Sequence, residues 1–442
     1  MFAGSILSLL LTAGPGYPAP WRDQPHSEWV GRTVIMKATG TRFFRVNPDG
    51  STTEAGVLTR TDYQVVREHD DRVLIKQDGT EGWINKADVA LPEDGVAHFS
   101  KLIEMNPNDS AQFARRSKSN ELKGDLDAAL KDYDEAIRIS PASSSWWNNR
   151  ANLYQKSKNY ERALEDYNKS IELNTGSAIV WGNRGNAHSY FRDYEKAIAD
   201  YNEATRLNPQ YTNSFVNRAN VHREMGEYAK AEADYDAALK IDPTFAFALG
   251  QRGEMWRIRR EYDKAAADIT AAIRIDPRSA QSFLLRGNLR RSLKQYNLAR
   301  DDYDHAIWLE PRLTAAFVER GRMYREQKQY DKTLADYDVA LKQEPLSIMA
   351  RLAKAELLAT CPEDRIRDGA KAVELAKAAI ERSRGPDGKA LAVLAAALAE
   401  KGEFDEAIIQ QQRALESKPY LADTASGKER LESFKAKRPI RE

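Results

Sequence analysis

Two histidines, His188 and His222, hold the same slot in two successive copies of a recurring sequence pattern. Imidazole is a frequent metal ligand and moves protons near neutral pH. If the interval is one structural repeat, the two rings lie on successive copies of one helix, within reach of a shared metal. The same slot elsewhere holds Tyr154, Trp256 and Tyr324. Polar-tipped core filling is therefore the reading favoured over a metal pair. No catalytic set surrounds these residues. The sequence contains no nucleophile elbow, no P-loop and no H-E-x-x-H helix. The glycines of "GNRGNA", residues 182–187, lie inside a helical pattern and form no phosphate loop. The expectation is a chain without cofactor that is not an enzyme.

Two further sets of residues recur at the same interval. Arg116, Arg150, Arg184, Arg218, Arg252, Arg286 and Arg320 are matched, at one fixed offset, by Asp132, Asp166, Asp200, Asp234, Asp268, Asp302 and Asp336. Ligands are not periodic, so a pair present in every copy reads as a ladder of internal ion pairs. Amides form the second set: Asn149, Asn183 and Asn217, and further along the same copies Asn152, Asn186 and Asn220, with Asn288 in a later one. An amide both donates and accepts, which suits the backbone of an extended peptide. Solvation of a helix face is the equal alternative. Arg223, Arg257, Arg291 and Arg325 fill one slot in four successive copies. Such a basic stripe favours an acidic peptide or another anion, unless Glu224, Glu254 and Glu326 neutralise it.

Prolines mark the elements that position these residues. Pro107, Pro141, Pro209, Pro243, Pro277, Pro311 and Pro345 are spaced by one or two repeat lengths, with Thr175 in the missing slot. Between them an aromatic or Leu (Trp147, Trp181, Phe215), a small residue (Ala151, Gly185, Ala219), a Tyr (Tyr160, Tyr194, Tyr228) and an Ala (Ala163, Ala197, Ala231) keep fixed offsets. The small residues let two helices approach, and Pro ends each pair because it cannot continue a helix. This pattern resembles the tetratricopeptide repeat (TPR), a helix-turn-helix of about 34 residues. The resemblance runs over about residues 110–421. One helix pair cannot bury its apolar face, so copies stack. Seven copies are expected over 110–347. Two more follow over 348–421 and carry an insertion near Cys361-Pro362, because Pro345 and Pro419 stand further apart than two repeat lengths. Residues 422–442 read as a capping helix, with Leu431 and Phe434 inward, and a basic tail. The resemblance implies that the asparagines and the Arg223–Arg325 stripe face a concave groove. The clamp some relatives use for carboxyl-terminal peptides needs Lys and Arg where this chain has Asn148, Asn183, Asn213 and Asn217, which argues against that partner.

Ahead of the array, "RTVIMKA", "YQVVREH", "RVLIKQ" and "GWINKADVAL" are short β-branched runs with turn signals at Pro48-Asp49-Gly50 and Asp78-Gly79. About five strands in so short a stretch suggest a small barrel. Gly82-Trp83-Ile84 resembles the end of bacterial SH3-like barrels, over residues 28–91. Trp83, Tyr63 and Trp29 are its notable aromatics, with core packing favoured for Trp83. Residues 92–109 read as a linker or first helix.

Bulk composition narrows the field. The 442 residues carry 67 basic and 66 acidic side chains, net +1. This balance gives no global reason to expect nucleic acid. A lone cysteine, Cys361, rules out an intramolecular disulfide framework. The apolar run Phe2–Ala13 is too short for a stable membrane span but has the length of a signal-peptide core, so residues 1–20 are expected to direct export to the periplasm or cell envelope. It lacks a preceding Lys or Arg; if it is not a signal, a cytoplasmic location follows. The combined expectation is an α-solenoid (TPR superhelix) preceded by a small all-β SH3-like barrel. Its function would be a non-enzymatic scaffold that binds a peptide or protein segment in the groove. The alternative is a cell-envelope targeting protein in which the barrel binds and the array is a spacer or assembly surface. No residue decides the oligomeric state.

Overall fold

The computed structural model describes residues 28–441 apart from 39, 47–51, 59, 78–79, 383–387 and 418–423. The expected signal segment 1–20 and the two turn signals of the β region lie outside the described residues. The chain divides into two compact units, 1–187 and 188–442.

Among the described residues the first unit opens with seven strands: β1 (Thr33–Met36), β2 (Arg42–Val46), β3 (Thr52–Val57), β4 (Asp62–His69), β5 (Arg72–Gln77), β6 (Thr80–Asn85) and β7 (Val89–Ala90). All pair antiparallel, in the order β3-β2-β6-β5-β4-β1-β7. The expected barrel is corrected to an open sheet: β3 and β7 end the order, with no ladder between them among the described residues. Register shifts at Phe43/Phe44 and Val65/Arg67 introduce bulges, which bend and twist the sheet. It thereby wraps one core of Val34, Met36, Phe43, Tyr63, Val65, Val73, Ile75, Ile84 and Leu91. The Tyr63 hydroxyl, inside that core, accepts from the Arg60 backbone N–H at 3.1 Å.

Helix α1 (Pro92–Met105) follows at once, opened by Pro92, whose missing N–H is no loss in a first turn. Phe99 is fully buried. Arg32 holds Glu93 through both carboxylate oxygens at 2.6 Å. A Cβ added at Gly95 would meet Ser119 Oγ and Ile35, so β1, α1 and α2 pack in direct contact. Lys118 on α2 reaches Asp62 of β4 at 3.4 Å.

Helices then alternate in pairs. In the first unit these are α2 (Ser110–Lys123) with α3 (Leu126–Ile139), α4 (Ser144–Lys156) with α5 (Tyr160–Leu173), and α6 (Ala178–Tyr190), which reaches the division. In the second come α7 (Tyr194–Leu207), α8 (Thr212–Glu224), α9 (Tyr228–Ile241), α10 (Ala246–Ile258), α11 (Tyr262–Ile275), α12 (Ala280–Ser292), α13 (Tyr296–Leu309), α14 (Thr314–Glu326) and α15 (Tyr330–Gln343). Then follow α16 (Ile348–Thr360), α17 (Gly369–Arg382), α18 (Gly388–Lys401), α19 (Phe404–Glu416) and α20 (Thr424–Lys435). Some N-termini are capped by side chains: Asp109, Asp125, Asn159 and Ser279 each accept a backbone N–H of the first turn.

Packing inside a repeat follows from residue size. Ala129, Ala163, Ala231, Ala265 and Ala299 have no exposed surface. Gly287 and Gly321 let tyrosine rings rest on the first helix: a Cβ there would stand 2.6 Å from Tyr303 and Tyr337 Cε1. A buried side chain of this size contributes about 2 kcal/mol of hydrophobic stabilisation. The α16–α17 turn, 361–368, is longer than the others. Arg367 organises it, donating to the Cys361 and Pro362 carbonyls at 2.9 Å and to Glu400 at 2.9 Å. At the end, Phe434 is fully buried, Leu431 half-buried, Ile440 packs against the core and Arg441 meets Glu400 at 2.6 Å. The last basic residues are thus partly docked rather than a free tail.

Candidate functional site

The Arg–Asp rows meet. Arg150 donates Nε and Nη2 to the two oxygens of Asp166, both at 2.8 Å. Arg218–Asp234, Arg252–Asp268 and Arg320–Asp336 repeat the fork at 2.6–2.9 Å. Arg116–Asp132 and Arg286–Asp302 are looser versions, closing to 2.6 and 2.7 Å. The seven aspartates are 2–8% exposed. A third arm was not foreseen. Nη1 reaches back to the preceding pair's second helix: Arg150 to Asp134 at 2.7 Å, Arg184 to Asn168 at 2.8 Å, Arg218 to Asn202 and Arg252 to Asp236 at 2.6 Å, and Arg320 to Asp304 at 2.5 Å. Where the repeat carries an aromatic in front of the arginine, the guanidinium also lies over its ring, 5.0 Å above Trp147 for Arg150 and 4.7 Å above Trp181 for Arg184. Hydrogen bonds to Asp268 raise the pKa of Arg252, which keeps its guanidinium charged. Burial lifts the Asp336 carboxyl above its ordinary range against the pull of Arg320. Within each unit this row ties repeats together, and among the described residues it offers no free cation to a ligand.

The asparagines occupy another face of the first helices, and a second-helix tyrosine orients several of them. The hydroxyls of Tyr167, Tyr235 and Tyr303 donate to the Oδ1 atoms of Asn152, Asn220 and Asn288 at 2.7, 2.5 and 2.9 Å. With Oδ1 engaged from inside, the Nδ2 donors of these three have no acceptor among the described residues. Asn183 instead donates to Asn148 and Asn152 Oδ1 at 3.3 and 3.1 Å, and Asn149 accepts from Asn148 at 3.1 Å. These four gather in the first compact unit. Asn186 and Asn217 are half-buried on the same helical face. Burial raises the tyrosine hydroxyls, Tyr235 to about 12, so they remain proton donors. Where the asparagine is replaced by Arg322, the buried hydroxyl of Tyr337 has no partner among the described residues.

The arginine stripe is zipped between neighbouring first helices. Arg257 forks onto Glu254 at 2.7 Å and reaches Ser292 at 3.1 Å. Arg291 holds Glu319 and Glu326, both at 3.0 Å. Arg325 meets Glu356 at 3.1 Å and Thr360 at 3.3 Å. Arg223 bonds the neutral Gln251, at 3.1 and 3.4 Å. Three of the four charges are therefore balanced by glutamate, and the wall is polar without a strong sign.

His222 Nδ1 sits 2.6 Å from Glu227, while His188 stands 3.8 and 3.9 Å from Asp193 and Asp200. Among the described residues no group of three or more His, Cys, Asp and Glu could hold a metal, and no helix is long and apolar enough to cross a membrane. The sheet carries one feature that sequence reasoning misplaced. Trp83 lies outside the core cluster; Gly82 and Ile84 point inward, so Trp83 takes the other face by strand alternation. Its register partners are Phe44 and Leu74, giving a half-exposed apolar row across β2, β6 and β5.

A family model for the tetratricopeptide repeat matches residues 144–175, 178–211 and 213–245, and a second model of the same repeat matches 364–422. No curated protein matches the chain significantly. Among solved structures, a tetratricopeptide repeat protein from Parabacteroides merdae is similar at 20% identity, over 55% of this chain and 96% of that one, with a TM-score of 0.48. Yeast Tom70 is similar at 18% identity, over 78% and 85%, with a TM-score of 0.48. Pseudomonas aeruginosa pilF is similar at 20% identity, over 49% and 97%, with a TM-score of 0.41. The segments 144–245 and 364–422 are therefore tetratricopeptide repeats, and among the described residues the fold is of the tetratricopeptide-repeat type, with 20 helices following an open sheet of seven strands.

Proposed function

We propose that this chain is a non-enzymatic scaffold whose first-helix wall binds an extended segment of a partner protein. Proteins built on this repeat are generally interaction scaffolds; the wall as binding surface is the further step taken here. One observation carries it: within the second unit, tyrosine hydroxyls orient Asn220 and Asn288 from inside, leaving each amide N–H₂ group without an acceptor among the described residues. Fixed donors two repeats apart on one unit suit the carbonyls of an extended backbone, and pre-orientation lowers the ordering cost of binding. Because Arg257, Arg291 and Arg325 are balanced by glutamates, this wall selects backbone geometry more than ligand charge. Affinity capture with the full chain, compared with N152A/N220A/N288A and read by mass spectrometry, tests the reading. It expects partners to be lost with the melting temperature little changed; an unchanged partner set overturns it.

A second reading is supported by the Phe44–Trp83–Leu74 row. Here a bacterial SH3-like sheet, in an exported protein of the cell envelope, binds the partner and the helices serve as spacer or assembly surface. A W83A variant that loses every partner while N152A/N220A/N288A keeps them favours this alternative.

A further inference from the structure

The turn that closes a first helix carries a residue in the left-handed backbone conformation in every pair from α2 on except the one opened by α16, which ends on Cys361 at φ −57°: Gly124, Lys158, Arg192, Gly226, Arg260, Lys294, Lys328 and Gly402 have φ between 58° and 91°. Glycine adopts it freely, and other residues do so with strain. Where glycine is absent from this set, the chain uses Lys or Arg every time, never the asparagine that tolerates the conformation best. A cation at a helix C-terminus recovers part of that strain through the helix dipole. Dipole compensation alone does not explain what else lies on this edge. Arg260, Lys294 and Lys328 come from consecutive repeats, are exposed, and have no side-chain acceptor among the described residues. Their neighbours do: Lys230 is bonded to Glu227, Lys264 and Arg259 to Glu261. Met225, Ile258 and Leu293 are exposed apolar residues beside the row. At its start lies an open depression of about 460 Å³ lined by Gly226, Glu227, Tyr228, Lys230 and Arg259.

We propose that this turn edge is a docking surface, separate from the first-helix wall, for an acidic polypeptide segment with an apolar anchor. Its carboxylates meet Arg260, Lys294 and Lys328, and its apolar side chain enters the depression between Tyr228 and Arg259. Discrete carboxylates fit this edge better than a continuous polyanion. Glu227, Glu261 and Asp263 interleave the cations and would repel the unbroken charge of nucleic acid or an anionic bilayer.

The test uses the full chain, a short fluorescein-labelled Glu/Leu peptide, phosphatidylserine vesicles and single-stranded DNA. Peptide binding is expected, weakening as salt is raised, with neither vesicles nor DNA retained. R260E/K294E/K328E should lower peptide affinity about tenfold or more, since each exposed pair is weak and three act together. R260G/K294G/K328G removes the charges while relieving the backbone, so it should lose peptide affinity yet melt at the same or a higher temperature. N152A/N220A/N288A should bind the peptide as wild type does. Unchanged affinity in the glycine variant overturns the proposal, as does retention of vesicles or DNA in place of the peptide, or loss of the peptide in the asparagine variant.

Discussion

Two rows of cations run through the same repeats at the same interval and end in opposite circumstances. Arg252 is held by Asp268, by Asp236 of the preceding pair and, like its equivalents, lies in a closed polar clamp. Arg260, further along the same repeat, projects from a left-handed turn with no acceptor among the described residues. The difference teaches that periodicity identifies which residues matter to a repeat without saying whether they act inward or outward. What decides is whether an opposite charge recurs at an offset the fold brings into reach. For the clamp, such a partner recurs on the second helix of the same pair in seven repeats; around Arg260, Lys294 and Lys328 no acceptor lies within reach among the described residues.

This contrast can be broken experimentally, most strongly at the clamp. D268A leaves Arg252 half-buried and short of one carboxylate, and should cost about 3 kcal/mol in a denaturant titration, as removal of one partner from a buried pair does. A loss below about 1 kcal/mol would place the clamp among ordinary surface pairs. G321A should cost about 2 kcal/mol, because its Cβ would stand 2.6 Å from the Tyr337 ring and force the helices apart. Y235F should cost about 1 kcal/mol for the hydrogen bond to Asn220 and, more tellingly, release the amide and weaken partner capture. Smallest, and opposite in sign, is K294G, which should stabilise by roughly 0.5–1 kcal/mol by relieving the left-handed backbone.

The tyrosine layer between wall and clamp adds a pH dependence. Burial raises the hydroxyls of Tyr133, Tyr167, Tyr201, Tyr235, Tyr303 and Tyr337, with Tyr235 pushed up to about 12. In the unfolded chain a tyrosine ionises near pH 10. Above that pH the folded state binds more protons than the unfolded state, so stability falls as pH rises from about 10 towards 12. Circular dichroism and tyrosinate absorbance should therefore change together in one cooperative step; tyrosinate forming first, with helicity intact, would contradict a buried layer.

Much of this was legible in the residues. The Arg–Asp offset gave the clamp because both members recur. The backward arm was legible too, in the tripeptides ending at Asp134, Asn168, Asn202, Asp236 and Asp304, but it takes knowing that neighbouring second helices lie side by side. Each Asn of this slot also comes with a Tyr: Asn152, Asn186, Asn220 and Asn288 accompany Tyr167, Tyr201, Tyr235 and Tyr303, while Glu254 accompanies Ile269, although Tyr133 and Tyr337 accompany Lys118 and Arg322. That pairing was readable and points to an oriented amide rather than a solvated face. The neutralisation of the stripe was harder, since Arg291 finds Glu319 and Glu326 in the next repeat, at offsets fixed by how first helices stack. The sheet was least legible. Short β-branched runs give strands, but closure depends on long-range register, and alternation around Gly82 set Trp83 on the outer face.

Hydrogen exchange on the full chain with a captured partner bound tests the central claim most directly. The account predicts added protection along the first helices α8, α10 and α12, abolished in N152A/N220A/N288A. Protection confined to the sheet at residues 33–90, with those helices unchanged, would contradict it.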